Sequence, residues 1–296
     1  MNFYTKLAVQ HALSLMPGGR SAYLWVLDHV AKTTHPAPSS IKQKLDVGLR
    51  YLDVLGGRDA LHSGTHLEIG AGWHLTIPLL YYQLGCNKQV LTDIQSAATA
   101  KLVFPIVDYL QKHQPPGEDV RALPPTDGHT LNSYLDMLGI IYDPAVSTQL
   151  PVADGSVTLV TSTQTLYYPP RAVVSALFKE AARVLAPGGH FVATAHLYDM
   201  YSLADSSLSR FNFLRYSQKA WDRYFNCSMM NYNRMRASDY KRLLDDLPFD
   251  TEVWDVTRPT ETDYLDLDRI KIHPEFAAYS RDDLASTHLL FSMRRR

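Results

Sequence analysis

The chain has 296 residues, 46% of them hydrophobic, enough to bury a substantial core without disulfide or metal staples. Its 29 Lys and Arg against 30 Asp and Glu leave a net charge of −1, without the cationic excess that phosphate neutralisation requires, so nucleic acid is disfavoured as a partner. Cys86 and Cys227 lie too far apart in sequence to suggest a disulfide framework and fit a reducing compartment.

Three amphipathic segments open the chain at about 3–16, 21–33 and 40–55, with turn signals at Pro17-Gly18-Gly19 and Pro36-Ala37-Pro38-Ser39-Ser40 between them. Residues 1–60 therefore read as a helical cap. The first segment is interrupted by Gln10 and His11 and no small-residue cleavage site follows it, so it is not expected to be a secretory leader. The apolar run 75–84 is too short to span a bilayer and contains Pro78 and Gln83. A cytoplasmic protein with no membrane partner is expected.

From residue 65 onward short apolar strands alternate with helices, the order of a parallel sheet covered on both faces. Strands are expected at 65–69, 89–93, 140–142, 157–161 and 190–195, the last after a Pro187-Gly188-Gly189 turn. Helices are expected at 74–84, 97–113, 131–138 and 171–185, and a polar loop at 114–128. This core spans 61–197. Residues 198–248 are rich in aromatics and mostly helical in pattern, and read as an insertion that lines or covers an acceptor pocket. Residues 249–296 supply two late strands, 252–257 and 288–293, that complete the sheet.

The chemistry concentrates at Leu67-Glu68-Ile69-Gly70-Ala71-Gly72, where the first strand turns into a helix. Two glycines there let the backbone pass close to a ligand, because neither carries a Cβ. A dinucleotide fingerprint would place a third Gly at position 75, where Leu75 stands, and no Gly-Lys-Ser/Thr ending marks a P-loop. Asp93, 21 residues beyond Gly72 at the end of the second strand, can accept hydrogen bonds from ribose hydroxyls, and Glu68 adds a second carboxylate beside the loop. Acidic groups suit a cationic cofactor better than a pyrophosphate.

Two later segments, Leu150-Pro151-Val152-Ala153-Asp154-Gly155-Ser156-Val157 and Arg183-Val184-Leu185-Ala186-Pro187-Gly188-Gly189, stand in the same order and at similar spacing as in class I S-adenosylmethionine-dependent methyltransferases. With the glycine loop they make residues 60–196 resemble that family. The resemblance implies an α/β, Rossmann-like sheet of seven mostly parallel strands, here with an N-terminal helical cap and a helical insertion after the fifth strand. It implies S-adenosylmethionine as cofactor, held by Glu68, Gly70, Ala71, Gly72, Asp93, Ile94 and Ser162. Val146 stands where the family often has an acid for the adenine amino group; Asp143 is either its replacement or an ordinary loop acid. Tyr167-Tyr168 replaces a common Glu-His pair.

Candidates for proton transfer from an acceptor are His196, Asp199 and Tyr167, near the ends of the fourth and fifth strands where ligands enter such sheets. His196 is the preferred base, against a structural histidine. Arg215, Arg234 and Arg236 read either as anchors for an acidic acceptor or as surface ion pairs. Tyr168-Pro169-Pro170-Arg171 lacks the flanks of the motif used by amino-methylating DNA enzymes, and Thr161 and Ser162 provide no carboxylate for a hard cation. His62 and His66 flank Gly64 in an expected loop with no third ligand for zinc. The expected activity is methyl transfer to an O, N or C atom of a small molecule, a saccharide or secondary metabolite. A non-catalytic cofactor-binding protein and a polymer-modifying enzyme are the alternatives.

Overall fold

The computed structural model describes residues 3–19, 22, 36–62, 64–117, 119–144, 148–227 and 230–296. The expected helix at 21–33 and the Val146 position lie outside them. The seven strands are β1 His66–Ile69, β2 Gln89–Asp93, β3 Ile140–Pro144, β4 Val157–Thr163, β5 Leu185–His196, β6 Phe249–Val256 and β7 His288–Arg295. They form one sheet in the order β3-β2-β1-β4-β5-β7-β6. The first five run parallel, and β7 inserts antiparallel between β5 and β6.

Strand burial explains why these segments read clearly. All four residues of β1 and the first four of β2 are buried, as strands covered on both faces should be, although His66, Glu68, Gln89 and Thr92 among them are polar. On one face Leu67, Ile69, Val160, Phe191 and Phe291 pack with the Arg171–Val184 and Ala237–Asp245 helices. On the other, Leu159 and Val192 pack with Tyr51 and Leu52 of the Pro38–Val54 helix and Ile77, Leu80 and Tyr81 of the Thr76–Gln83 helix. The Pro38–Val54 helix thus closes the sheet rather than standing apart as a cap.

Three expectations need correction. Pro187-Gly188-Gly189 is not a turn before β5: the strand leaves its helix directly at Leu185, and the pairing jumps from Val157↔Leu185 to Leu159↔His190, so the prolyl-glycyl segment bulges within the strand. His66 is no loop residue but opens β1 and is buried, while the ring of His62 sits 3.1 Å from the Leu84 carbonyl. The segment 198–248 is only partly helical. Its regular pieces are two 3₁₀ turns, Met200–Leu203 and Asn212–Arg215, and the helices Gln218–Tyr224 and Ala237–Asp245.

The β6–β7 connection carries structure that the sequence reading passed over: helices Glu261–Asp268 and Arg281–Ala285 and a 3₁₀ turn at Pro274–Phe276. Each helix starts on a side-chain cap, Thr260 accepting from the Asp263 N–H and Ser280 from the Asp283 N–H. The Ser/Thr-x-x-Asp spacing was the available signal. Leu267, Phe276 and Leu284 from this connection bury against Tyr201, Phe211, Phe213, Leu214, Trp221 and Phe225. One apolar cluster therefore joins two segments distant in sequence.

Candidate functional site

The glycine loop leaves β1 at Ile69 and is tied to its neighbours by backbone and side chain. The N–H groups of Gly70 and Ala71 both donate to the Thr92 carbonyl, at 2.8 and 3.0 Å. The Gly72 N–H donates to Asp93 Oδ2 at 2.9 Å, and the Gln95 N–H to Asp93 Oδ1 at 3.2 Å. Asp93 thus pins the loop to the end of β2, a role beyond the expected ribose contact.

The two glycines are required for different reasons. Both have positive φ, 80° at Gly70 and 70° at Gly72. A Cβ on Gly70 would meet Thr165 Oγ1 at 2.2 Å, so this glycine is demanded by the protein's own packing. A Cβ on Gly72 would meet nothing within 4 Å. The loop is closed on the Gly70 side and open at Gly72, where a ligand can approach the backbone. Leu75, at the missing third-glycine position, is itself left-handed at φ 50° just before the helix, and is buried.

The other expected cofactor residues separate into two groups. Ile94 is 66% exposed beside Asp93, an apolar side chain presented at the mouth. Asp143 is half-buried and pairs in register with Thr92 across β3 and β2. Tyr142 holds the intervening turn, accepting from the N–H groups of Ala97 and Ala98 and donating to the Gln95 carbonyl. Ser162, by contrast, is fully buried and donates to the Ile69 carbonyl at 3.0 Å, so it supports the loop from beneath. Glu68 is also buried, with Oε2 2.9 Å from Thr161 Oγ1, and burial pushes its carboxyl up to about 7.

Beyond β4 and β5 lies a narrow cavity of about 20 Å³ lined by Tyr167, His196, Tyr198, Asp199, Tyr232 and Arg234, among others. The Tyr232 ring stacks at 6.0 Å from Tyr167 and 5.5 Å from Tyr168, and His196 packs 5.3 Å from Tyr167 and 4.9 Å from Tyr198. Among the described residues, His196 Nδ1 is buried without a hydrogen-bond partner. Burial, reinforced by His288, pushes this imidazole down to about 4, so it is neutral near pH 7. Tyr167 is buried and its phenol is raised strongly by burial, which makes it a wall rather than a proton acceptor.

Asp199 caps the 3₁₀ turn through the Tyr201 N–H at 2.9 Å and accepts from Asn212 Nδ2 at 3.3 Å. Both oxygens are therefore engaged in fixing the chain after β5. The arginines are reassigned as well. Arg234 donates to the carbonyls of Phe213 and Tyr216 and to Gln218 Oε1, with its guanidinium 5.4 Å from the Trp221 ring centre. Arg236, fully buried, donates to the carbonyls of Leu197, Asp283 and Ser286. Both guanidinium groups are spent on the protein's own carbonyls, Arg234 also lying 4.0 Å from the Glu275 carboxylate, and Arg215 is the exposed one.

Residues 132–193, from the helix before β3 into β5, match the family described as "Methyltransferase domain". No curated protein matches the chain. Among solved structures, a putative methyltransferase from Bacillus halodurans C-125 is similar at 13% identity, covering 85% of this chain and 98% of its own, with a TM-score of 0.47. Geranyl diphosphate C-methyltransferase from Streptomyces coelicolor A3(2) is similar at 13% identity over 82% and 75%, with a TM-score of 0.46. An S-adenosylmethionine-dependent methyltransferase from Mesorhizobium loti is similar at 17% identity over 80% and 93%, with a TM-score of 0.43.

Proposed function

We propose that this chain, a class I S-adenosylmethionine-dependent methyltransferase, binds its donor over Gly70–Gly72 and methylates a small molecule that docks against the aromatic side chains beyond β4 and β5. The observation that carries the donor site is the open space at Gly72, bordered by Asp93. When bound, S-adenosylmethionine supplies an electrophilic methyl group on a sulfonium centre. Asp93, at the end of β2 beside Gly72, is the carboxylate for the ribose hydroxyls, and Ile94 offers an apolar face to the adenine. Asp143, level with Thr92 where β3 pairs with β2, is our candidate for the adenine amino group.

The acceptor side is supported by the rings around His196. Tyr167, Tyr198 and Tyr232 present aromatic faces suited to a flat or saccharide-like molecule, and exclude water from it. The chain positions the acceptor, which is where much of the acceleration of a displacement arises. For a hydroxyl acceptor, the neutral His196 ring, whose Nδ1 has no hydrogen-bond partner among the described residues, is the base that receives the proton as the oxygen is alkylated. Asp199 and Tyr167 hold the geometry around it.

Replacing Gly72 by Val tests the donor site. Branched carbons entering the open space at positive φ are expected to abolish S-adenosylmethionine and S-adenosylhomocysteine binding in titration calorimetry, while circular dichroism reports a folded chain. Affinity equal to that of the unmodified protein would remove the site assignment. S-adenosylhomocysteine formation across a panel of hydroxylated small molecules tests the acceptor side, and donor binding with no turnover on any of them would favour a binding protein.

A further inference from the structure

Beneath the glycine loop four polar side chains share one face of the central strands, inside an otherwise apolar layer. His66 and Glu68 alternate with Leu67 and Ile69 along β1; Gln89 pairs with His66 across β2, and Thr161 pairs with Glu68 across β4. All four are buried, covered by Tyr51 of the Pro38–Val54 helix and Tyr81 of the Thr76–Gln83 helix. The Tyr81 ring meets the His66 ring edge-on at 5.0 Å.

Their contacts form a chain with an acceptor at each end. Gln89 Nε2 donates to the Pro78 carbonyl at 2.9 Å. That carbonyl can only accept, so the amide is oriented with Oε1 toward His66 Nδ1, also at 2.9 Å. Nδ1 must then carry the imidazole hydrogen, leaving a lone pair on Nε2, 2.7 Å from Thr161 Oγ1. Thr161 Oγ1 is also 2.9 Å from Glu68 Oε2. A threonine has one hydroxyl hydrogen and faces two acceptors: the imidazole lone pair and the carboxyl. The four contacts need four hydrogens, and amide, neutral imidazole and hydroxyl supply three.

We infer that Gln89, His66 and Thr161 hold Glu68 as the neutral acid in the ligand-free protein, and that a ligand whose ammonium charge comes to rest over Gly70–Gly72, the loop that begins two residues beyond Glu68, drives this proton off through its field. The carboxyl O–H supplies the missing hydrogen, donating to Thr161 Oγ1, whose own hydrogen points to His66 Nε2. The alternative placement, on His66, requires a buried imidazolium. Burial pushes His66 down to about 4 and Glu68 up to about 7, in line with the proton resting on the carboxyl. Lys44 of the Pro38–Val54 helix is the cation whose charge favours the Glu68 anion. The phenols of Tyr51 and Tyr81, the other titratable groups felt by Glu68, are held neutral by burial. Thr163 on β4 completes its surroundings. His66 and Gln89 are thus positioning residues, acting on the donor site through Thr161. On release, the Glu68 O–H bond breaks and its proton goes to water, and the Thr161 hydrogen turns from His66 to the carboxylate.

The inference rests on the donor lying at this loop, and its experiment separates the two. S-adenosylhomocysteine binding is measured by calorimetry between pH 6 and 7 in two buffers of different ionisation heat, where the ligand amine stays protonated. The expected result is release approaching about one proton per chain, with affinity rising up to about tenfold per pH unit below the Glu68 midpoint. 5′-Methylthioadenosine, which lacks the ammonium, should release none. Gln89→Leu, whose side chain does not touch Glu68, frees Nδ1 and lets His66 change tautomer, so that Thr161 can donate to an ionised carboxyl. The variant should move the pH profile to lower pH, as should His66→Phe. A wild-type profile without proton release, or one unchanged in Gln89→Leu, overturns the inference while leaving the donor site intact. If S-adenosylhomocysteine does not bind at all, the donor reading fails, and ¹⁵N NMR of the ligand-free protein still decides the proton. An Nδ1–H neutral His66 sustains the lock, whereas an Nε2–H or doubly protonated ring overturns it.

Discussion

The donor loop and the acceptor wall are built by different means. The loop hangs from adjacent parallel strands, held by the Thr92 carbonyl, the Asp93 carboxylate and the Ser162 hydroxyl, with the Thr165 hydroxyl beyond β4 donating to the Gly70 carbonyl. The wall is drawn from 198–245 and 258–287, whose helices are only five to nine residues long. Irregular backbone leaves carbonyls without ladder partners, and buried carbonyls require donors. Here the guanidinium groups of Arg234 and Arg236 provide them. A cation inside such a wall is therefore first a scaffold component.

The largest test of that contrast is Arg236→Met. It keeps much of the side-chain volume but leaves the Leu197, Asp283 and Ser286 carbonyls without these donors, and should destabilise the chain by about 3 to 5 kcal/mol in urea unfolding. Donor affinity, measured below the unfolding transition, should be unchanged, because no bond of the loop reaches this clamp. His196→Asn should lower kcat on a hydroxyl acceptor by about a hundredfold or more, without altering S-adenosylhomocysteine affinity. Equal loss of donor binding would show that the two halves are not separable.

Asp93→Asn acts on the other half. It removes charge at a position that both pins Gly72 and faces the donor, and should weaken donor binding by about 1.5 to 3 kcal/mol in calorimetry. The smallest expected effect is a pH dependence in the wall. Burial pushes Asp199 up to about 6 in the folded chain, above its ordinary value. The unfolded chain therefore releases this proton first, and stability falls as pH rises from about 4 to 6. Asp199→Asn, which keeps one acceptor for the Tyr201 N–H but has no titrating proton, should flatten that fall, read as the difference between unfolding midpoints at pH 4 and 7.

The same contrast governs what the sequence could disclose. β2 was readable to its end residues from the short apolar Val90-Leu91 centre between helical segments, and the glycine loop with Asp93 stood out because a tight turn needs glycine. The different duties of Gly70 and Gly72 were not readable, since they depend on whether Thr165, ninety-odd positions away, lies against the loop. Arg234 and Arg236 look like surface residues in sequence, and only three-dimensional proximity reveals the carbonyls they serve. The polar layer of His66, Glu68, Gln89 and Thr161 left a period-two trace in β1, but its hydrogen count depends on contacts among three strands.

The position of β7 sets the order in which the molecule can be finished. β6 is synthesised before β7, yet β7 is its only neighbour in the sheet, and β5 likewise waits for β7 on one side. During synthesis β6 has no ladder to join, and the apolar cluster that includes Leu267, Phe276 and Leu284 forms from the segment just before β7. The donor half, whose strands pair with neighbours already made, can assemble on the ribosome well before the acceptor wall. A nascent chain halted before His288 would therefore present an open β5 edge, the state in which a chaperone or a self-pairing strand would find it.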